Sequence, residues 1–446
     1  MSNTSSRRRS RKPGRPKRRA LAPIDANITV ERLGALGDGI GAHNGAPFYA
    51  SGLLPGEDAR VRLGDKKGYG RIAEVLEVLL PAPERVTPSC AYADQCGGCA
   101  VQHMAEGAYL SWKEGLVDQA LGSRSLEPET RLPLIRIGEG RRRLRFAAIG
   151  RAGGAILGFN AHASRQIVPI DKCIAAVPDL AELPVALRPL LDRLLQSGES
   201  GDVEAWASPT GLDLLLVRSR PLDLTERQAI ADFADAQNIA RFAWVAEDGD
   251  ISESVAARRT PVITMGRVRA APPPGAFLQP TSEGEQAMAD FASEHLQGAK
   301  HIADLYTGWG PFALRLGGHG VHVAAYEGAP AMIAALNQAA GQAGLGGFVK
   351  GHVRDLARRP LRMDELEPYD ALLLNPPRSG AAHQVESLAT GGPDRIVYLS
   401  CNPAALARDG RVLVDAGYRF RIAQPIDQFR WTPHLEVATL FYRGEA

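Results

Sequence analysis

The chain has 446 residues, 45% of them apolar and 23% charged, with a formal net charge of +2. That balance excludes a disordered or low-complexity polymer, and the length calls for two or three separate cores. No apolar run approaches the roughly 18 residues of a membrane-crossing helix; with no signal-peptide core near Met1, a cytoplasmic location without membrane contact is expected.

Residues 1–22 read as a disordered basic tail. The first twenty carry nine Lys/Arg and no Asp/Glu, which leaves 43 basic against 50 acidic residues in the rest of the chain. Pro13, Gly14 and Pro16 break any amphipathic helix there, so the tail is expected to act as an arm for a polyanion such as RNA.

Residues 23–82 read as a small β-barrel of the oligonucleotide-binding kind. Short β-rich runs, Ala59–Leu63 and Gly70–Val75 among them, alternate with Gly, Pro, Asn and Asp turns. The loop containing Lys66, Lys67, Tyr69 and Arg71 offers phosphate partners and a stacking ring, which favours RNA.

Residues 83–270 read as a central α+β domain. Three of the chain's five cysteines, Cys90, Cys96 and Cys99, stand together at its start, and Cys173 follows. Such a cluster in a chain without an export signal points to a metal site rather than a disulfide framework. The run from Arg141 to Gly150 begins with four arginines in five positions and is expected to form a basic edge facing RNA.

Residues 271–446 alternate strands and helices, the pattern of a Rossmann-like domain with a doubly wound parallel sheet. Its first strand runs into Tyr306-Thr307-Gly308-Trp309-Gly310, glycines that let a ligand approach the backbone at a helix start. Glu327, about 20 residues on, is placed to accept hydrogen bonds from ribose hydroxyls, and Asp355 follows the third strand. The third glycine of a dinucleotide fingerprint is missing and Pro311 and Phe312 occupy the helix start. S-adenosylmethionine, which carries no phosphate, therefore fits better than NAD. Asn375-Pro376-Pro377-Arg378 follows the next strand as a stiff loop exposing acceptors. Cys401 stands at a strand's carboxyl end before Asn402-Pro403, exposed as a nucleophile needs to be. Downstream, His434 and Glu436 are expected on one face of a strand. A thiol nucleophile with a carboxylate base is what methylation at carbon 5 of uracil requires, because that carbon is inert until a thiolate adds to carbon 6.

With these residues assembled, the chain from about residue 24 to 443 resembles the RNA uracil-5 methyltransferases, specifically the bacterial iron–sulfur type acting on 23S rRNA. The resemblance rests on Ser-Cys-Asn-Pro-Ala-Ala-Leu-Ala-Arg-Asp (400–409), Asn-Pro-Pro-Arg-Ser-Gly (375–380), Pro-His-Leu-Glu-Val-Ala-Thr-Leu (433–440) and the strip around Gln279. It implies Cys401 as nucleophile and Glu436 as base. It also implies a cofactor site for S-adenosylmethionine at Gln279, Tyr306, Gly308, Gly310, Glu327, Asp355 and Asn375, an amino-terminal TRAM domain, and a [4Fe–4S] cluster on Cys90, Cys96, Cys99 and Cys173. Four thiolates also suit zinc. Asn375 stands where the family has aspartate and Ala405 where it has threonine. RNA is the expected partner, 23S rRNA foremost, with no obligate protein partner evident. The competing readings are a tRNA uracil-5 methyltransferase, an exocyclic-amine methyltransferase suggested by Asn-Pro-Pro, and a non-catalytic iron–sulfur RNA-binding factor.

Overall fold

The computed structural model describes residues 22–138, 140–249 and 252–444, and the basic tail lies outside them. The chain divides into two compact units, Met1–Arg85 and Val86–Ala446. Among the described residues no helix is long and apolar enough to cross a membrane.

In the first unit a six-stranded sheet spans Ile24–Leu80. Along Asp58–Lys67 the residues Ala59, Val61 and Leu63 are buried while Arg60 and Arg62 face solvent, the period of two that a half-buried strand requires. Ile28, Val30, Phe48 and Ala50 complete the core with them. Tyr69 is 98% exposed at the hairpin tip, as a stacking ring would be. Arg71, expected as a phosphate partner, is instead occupied: its guanidinium donates to the carbonyls of Gly64, Leu63 and Ala22. The side chain of Lys67 lies outside the described ones.

The second unit contains two large sheets. Seven strands between Arg143 and Ala257 form the first, with Ile167–Pro169 and Glu253–Ala257 at its edges. Helices Leu183–Leu194 and Leu224–Ala236 share its apolar core, the second helix opened by a capping box in which Asp223 and Glu226 exchange backbone bonds. The arginine run corrects the expectation made of it. Strand Arg143–Ile149 is internal, between Ile156–Asn160 and Ser200–Ser208. Arg142 is buried against Glu285, and Arg143 and Arg145 pair with Glu204 and Asp202. Glu204 lies directly across the ladder from Arg145 and Asp202 two residues further along it, whereas Glu285 comes from the helix Ser282–His295; Arg145 alone of the three keeps more than half of its side chain exposed.

The second large sheet carries the motifs. Its strands are β1 (His301–Leu305), β2 (His322–Glu327), β3 (Val349–Val353), β4 (Ala371–Leu374), β5 (Arg395–Ser400), β6 (Arg419–Asp427) and β7 (Glu436–Tyr442), in the order β3-β2-β1-β4-β5-β7-β6. The first five run parallel and β7 enters antiparallel between β5 and β6. Helices cover both faces: α1 (Glu106–Gly122), α5 (Ala382–Thr390) and α6 (Pro403–Asp415) on one, α2 (Ser282–His295), α3 (Pro311–Gly317) and α4 (Pro330–Gln342) on the other. Strand β4 shows why: Ala371 and Leu373 enter one core, Leu372 and Leu374 the other. A strand buried on both faces must be apolar throughout.

The span 83–270, expected to form a domain of its own, also supplies this sheet. Thr130–Arg131 and Ile135–Arg136 pair with β6, α1 contributes Val117 and Leu121 to one core, and the hairpin Ile263–Ala270 contributes to the other. Because Leu373 is fully buried at the centre of the sheet, Leu373→Ala is expected to cost about 2–5 kcal/mol through lost transfer energy and an unfilled cavity. Urea denaturation of the two proteins measures it.

Candidate active site

Cys401 stands in a turn that its neighbours build. Strand β5 ends at Ser400, whose buried hydroxyl donates to the Asn402 carbonyl and accepts from the Asn402 N–H. Asn402 caps α6, its side-chain oxygen accepting from the Ala404 N–H at 3.1 Å. Pro403 then fills the first helical position, where no N–H is needed. The Asn402 amide also donates to the Arg378 carbonyl at 2.9 Å, fastening the cysteine turn to the Asn375–Arg378 loop. Asp409, at the end of the same motif, is buried and accepts from the Tyr398 hydroxyl and the Ala381 N–H, each at 2.7 Å. Its role is thus to lock α6 against β5 and the chain leading into α5.

Across the ladder, Ser400 pairs with Val437. Cys401 follows Ser400 and Glu436 precedes Val437, so the two strands bring them toward each other, close enough for the Glu436 charge to act on the thiol. Burial pushes the Cys401 thiol up to about 11, the Glu436 charge adds to the rise, and Arg378 opposes it. Glu436 is 4% exposed, and burial lifts its carboxyl to about 7 against a pull downward from Gln428. The Gln428 amide donates to Glu436 at 3.2 Å and to the side-chain oxygen of Gln279 at 2.8 Å. Gln428 itself packs on Gly284 of α2 so closely that a Cβ there would lie 2.6 Å from its amide oxygen. His434 corrects the expectation made of it: it lies in the loop before β7 rather than on the strand. Burial, with the charges of Arg378, Lys113 and Arg141, pushes its ring down to about 4, so it is neutral at physiological pH.

The residues expected around the cofactor gather at the carboxyl ends of β1 to β4, apart from Gln279, which joins the base through Gln428. Gly308 and Gly310 have φ of 60° and 91°, a region that glycine alone enters without strain. Their duties differ. A Cβ on Gly310 would fall 2.1 Å from Leu336, so that glycine lets α3 and α4 close up, whereas nothing lies within 4 Å of a Cβ on Gly308. The Glu327 carboxylate is oriented by the N–H groups of Gly308 and Ala329 at 3.2 and 3.0 Å, and each of its oxygens retains a lone pair for a ligand hydroxyl. Asp355 is fixed by the N–H groups of Ala357 and Arg358. The Asn375 N–H donates to Leu305 at 3.2 Å. Tyr306, with φ of 62°, has its hydroxyl pushed up to about 12 by burial, with Asp409, Asp355 and Glu327 adding to the shift. This acceptor-rich edge with open space over Gly308 fits an adenosine-type group.

Cys90, Cys96, Cys99 and Cys173 line one cavity of about 240 Å³, with Arg141 in its wall. Backbone bonds set two of them: Gly98 N–H to Cys96 Sγ at 3.4 Å, and Cys173 N–H to the Ala181 carbonyl at 2.9 Å. Burial raises Cys96 and takes Cys173 to about 11, while Arg141 pulls both down. Among the described residues no three or more His, Cys, Asp or Glu side chains converge tightly enough to hold a metal ion.

Sequence reasoning missed Gln428, which follows β6 with no motif around it, and the buried Tyr109, Lys113 and Asp427 beneath the loop that it opens. The i,i+4 spacing of Tyr109 and Lys113 was the available signal, and a lysine on an amphipathic helix ordinarily reads as solvent-facing.

The architecture is that of a known methyltransferase. The tRNA (uracil-54, C5)-methyltransferase of Pyrococcus abyssi, solved with S-adenosyl-L-homocysteine, matches with a TM-score of 0.70 at 21% identity, covering 93% of this chain and 100% of that one. Residues 350–444 match the family model described as tRNA (Uracil-5-)-methyltransferase. An RNA methyltransferase of Mesorhizobium japonicum is 37% identical over 94% of this chain and 98% of its own length. The 23S rRNA (uracil(1939)-C(5))-methyltransferase RlmD of Shewanella amazonensis is 33% identical over 93% and 95%. The chain belongs to the RNA uracil-5-methyltransferase family and is an enzyme of that class.

The carboxyl of Glu436 gives stability a pH signature. Its pKa of about 7 stands above the ordinary 4.5, so between those values the folded state holds a proton that the unfolded state has released. Stability therefore falls as pH rises from about 4.5 to 7, by about 3 kcal/mol for this group. Glu436→Gln removes the effect, and its urea midpoint is expected to gain on wild type between pH 4.5 and pH 8; an equal gap at both would contradict the burial argument.

Proposed function

We propose that this enzyme methylates carbon 5 of a uridine in 23S rRNA through a covalent adduct on Cys401, with Glu436 as the base that completes the reaction. The observation that supports the reading is the β5–β7 register, which ends with Ser400 opposite Val437, next to a thiol on one chain segment and a buried carboxyl on the other. Cys401 gives its proton to solvent and adds to carbon 6 of the uracil as the thiolate, which Arg378 favours. The resulting enolate makes carbon 5 a nucleophile. Bound S-adenosylmethionine supplies the electrophilic methyl group, and Tyr306, Gly308, Gly310, Glu327, Asp355 and Asn375 are the residues that would hold it, with Gln279 linking that site to the base. Glu436, ionised above about pH 7, then takes the carbon-5 proton and Cys401 departs. The uridine must leave its stack to reach a thiol in this setting. The relative at 33% identity favours ribosomal RNA as substrate.

We read the first unit as a TRAM-like barrel that guides RNA, with Lys66 and Tyr69 exposed on one hairpin, and the four cysteines as ligands of a [4Fe–4S] cluster. Four thiols on one cavity with an arginine beside them support it. Iron and acid-labile sulfide analysis of anaerobically prepared protein is expected to give about four of each per chain, lost in Cys173→Ala; zinc in their place would refute the cluster.

The mechanism is tested by trapping. Fluorine at carbon 5 cannot leave as a proton, so 5-fluorouridine-substituted 23S rRNA with S-adenosylmethionine is expected to give a covalent RNA–protein band in denaturing electrophoresis. Cys401→Ala should abolish it. A band with transfer RNA alone would move the substrate, and methyl transfer that survives Cys401→Ala would favour an amine as acceptor.

A further inference from the structure

The segment Asp427–Glu436 leaves β6, carries Gln428 at its start and delivers Glu436 at its end. Helix α1, more than 300 residues earlier in the chain, holds that segment at three points. Tyr109 and Lys113 stand one turn apart on α1, 5% and 0% exposed, over Asp427 at 2%. Lys113 Nζ donates to Asp427 Oδ1 at 2.8 Å and to the carbonyl of His434. The Tyr109 hydroxyl donates to Asp427 Oδ2 and accepts the N–H of Trp431 at 3.1 Å. Trp431 has φ of 62°, a conformation that a bulky residue adopts only when its surroundings impose it. Its carbonyl accepts from the N–H groups of Ala100 and Val101 at 2.7 and 3.2 Å, directly after Cys99.

A buried ion pair is a poor way to add stability, since apolar residues of similar shape do as well or better. What the pair adds here is fixed geometry. Asp427 is bonded on both carboxylate oxygens immediately before Gln428, and the His434 carbonyl is bonded two residues before Glu436. We propose that Tyr109, Lys113 and Asp427 are positioning residues that set Gln428 and Glu436 against Cys401, and that they act on removal of the carbon-5 proton rather than on binding of RNA or S-adenosylmethionine. This rests on the reading of Glu436 as the base. In that step the carbon–hydrogen pair at carbon 5 becomes the carbon 5–carbon 6 double bond, the proton passes to Glu436, and the sulfur–carbon pair leaves on Cys401 as thiolate. A misplaced base therefore leaves RNA methylated yet still joined to the enzyme.

The test uses the full-length, cluster-loaded enzyme, unsubstituted 23S rRNA and S-adenosylmethionine labelled in its methyl group, in single-turnover reactions quenched in denaturant. Glu436→Gln and Cys401→Ala are the controls: the first should accumulate labelled adduct, the second none. Tyr109→Phe, which keeps the Lys113–Asp427 pair, and Lys113→Met are each expected to form adduct at a rate within about twofold of wild type. Both should resolve it at least tenfold more slowly, with the midpoint of the pH profile for resolution falling below about 7 as water reaches Glu436. S-Adenosylmethionine affinity should be unchanged. Because Lys113→Met leaves Asp427 charged and unpaired, the double variant Lys113→Met/Asp427→Leu removes both charges and keeps folding in hand. Adduct resolution at the wild-type rate in that double variant and in Tyr109→Phe, with Glu436→Gln accumulating adduct, overturns the clamp and leaves the base in place. No adduct in Glu436→Gln overturns the reading of the base, and the clamp with it.

Discussion

The antiparallel pairing of β7 with β5 is the constraint on which the site depends. A parallel strand in that place would begin, rather than end, on the far side of the sheet and would carry Glu436 away from the ligand edge. By entering against the direction of its neighbours, β7 brings its first residue to the edge where β1 to β5 release their last. One reversal in an otherwise parallel layer thus brings Glu436 to the same edge as Cys401 and the Gly308 turn. The surrounding bonds serve that meeting: Asn402 and Asp409 hold the thiol's turn, and Gln428 holds the acid.

The electrostatics follow from the same burial. Withdrawal from water lifts both Cys401 and Glu436 out of their ordinary ranges, and each in its charged form works against the other's ionisation. In a resting enzyme this favours a neutral thiol, resistant to oxidation, and a carboxyl balanced near neutrality. The positive charge that acts on the thiol itself comes from Arg378, on the loop to which the cysteine turn is tied.

Much of this was legible in the sequence. The motif around Cys401 encodes its own geometry, because a strand end, a cap residue and a proline in succession admit few backbone paths, and the apolar runs of β4 and β5 announce strands buried on both faces. Glu327 was legible from its distance to Gly308. What was not legible depends on contacts between distant segments. The run Arg141–Arg145 reads as an exposed basic strip because nothing in it reveals that Asp202, Glu204 and Glu285 lie opposite. Arg71 reads as a phosphate ligand until the carbonyls around its guanidinium are seen. Gln428 carries no motif, and Lys113 meets Asp427 across a sequence separation of 314 positions. The four cysteines were legible as a group, whereas the spacing of their sulfurs is a property of the loops that carry them.

That separation between partners has a bearing on how the enzyme is built as a whole. The sheet that houses the chemistry is roofed on one face by α1, extended at its margin by Thr130–Arg131, and completed on the other face by the hairpin Ile263–Ala270. A fragment cut at the apparent start of the alternating pattern, near residue 271, would present an uncovered apolar face, an unprotected margin along β6 and a buried carboxylate without its cation. The carboxyl-terminal half is therefore no portable module. The segment that bears the cysteines is continuous with the helix that roofs the catalytic sheet, so the two halves are bound to persist or be lost together, and exchanging one front end for another would mean rebuilding the core beneath it.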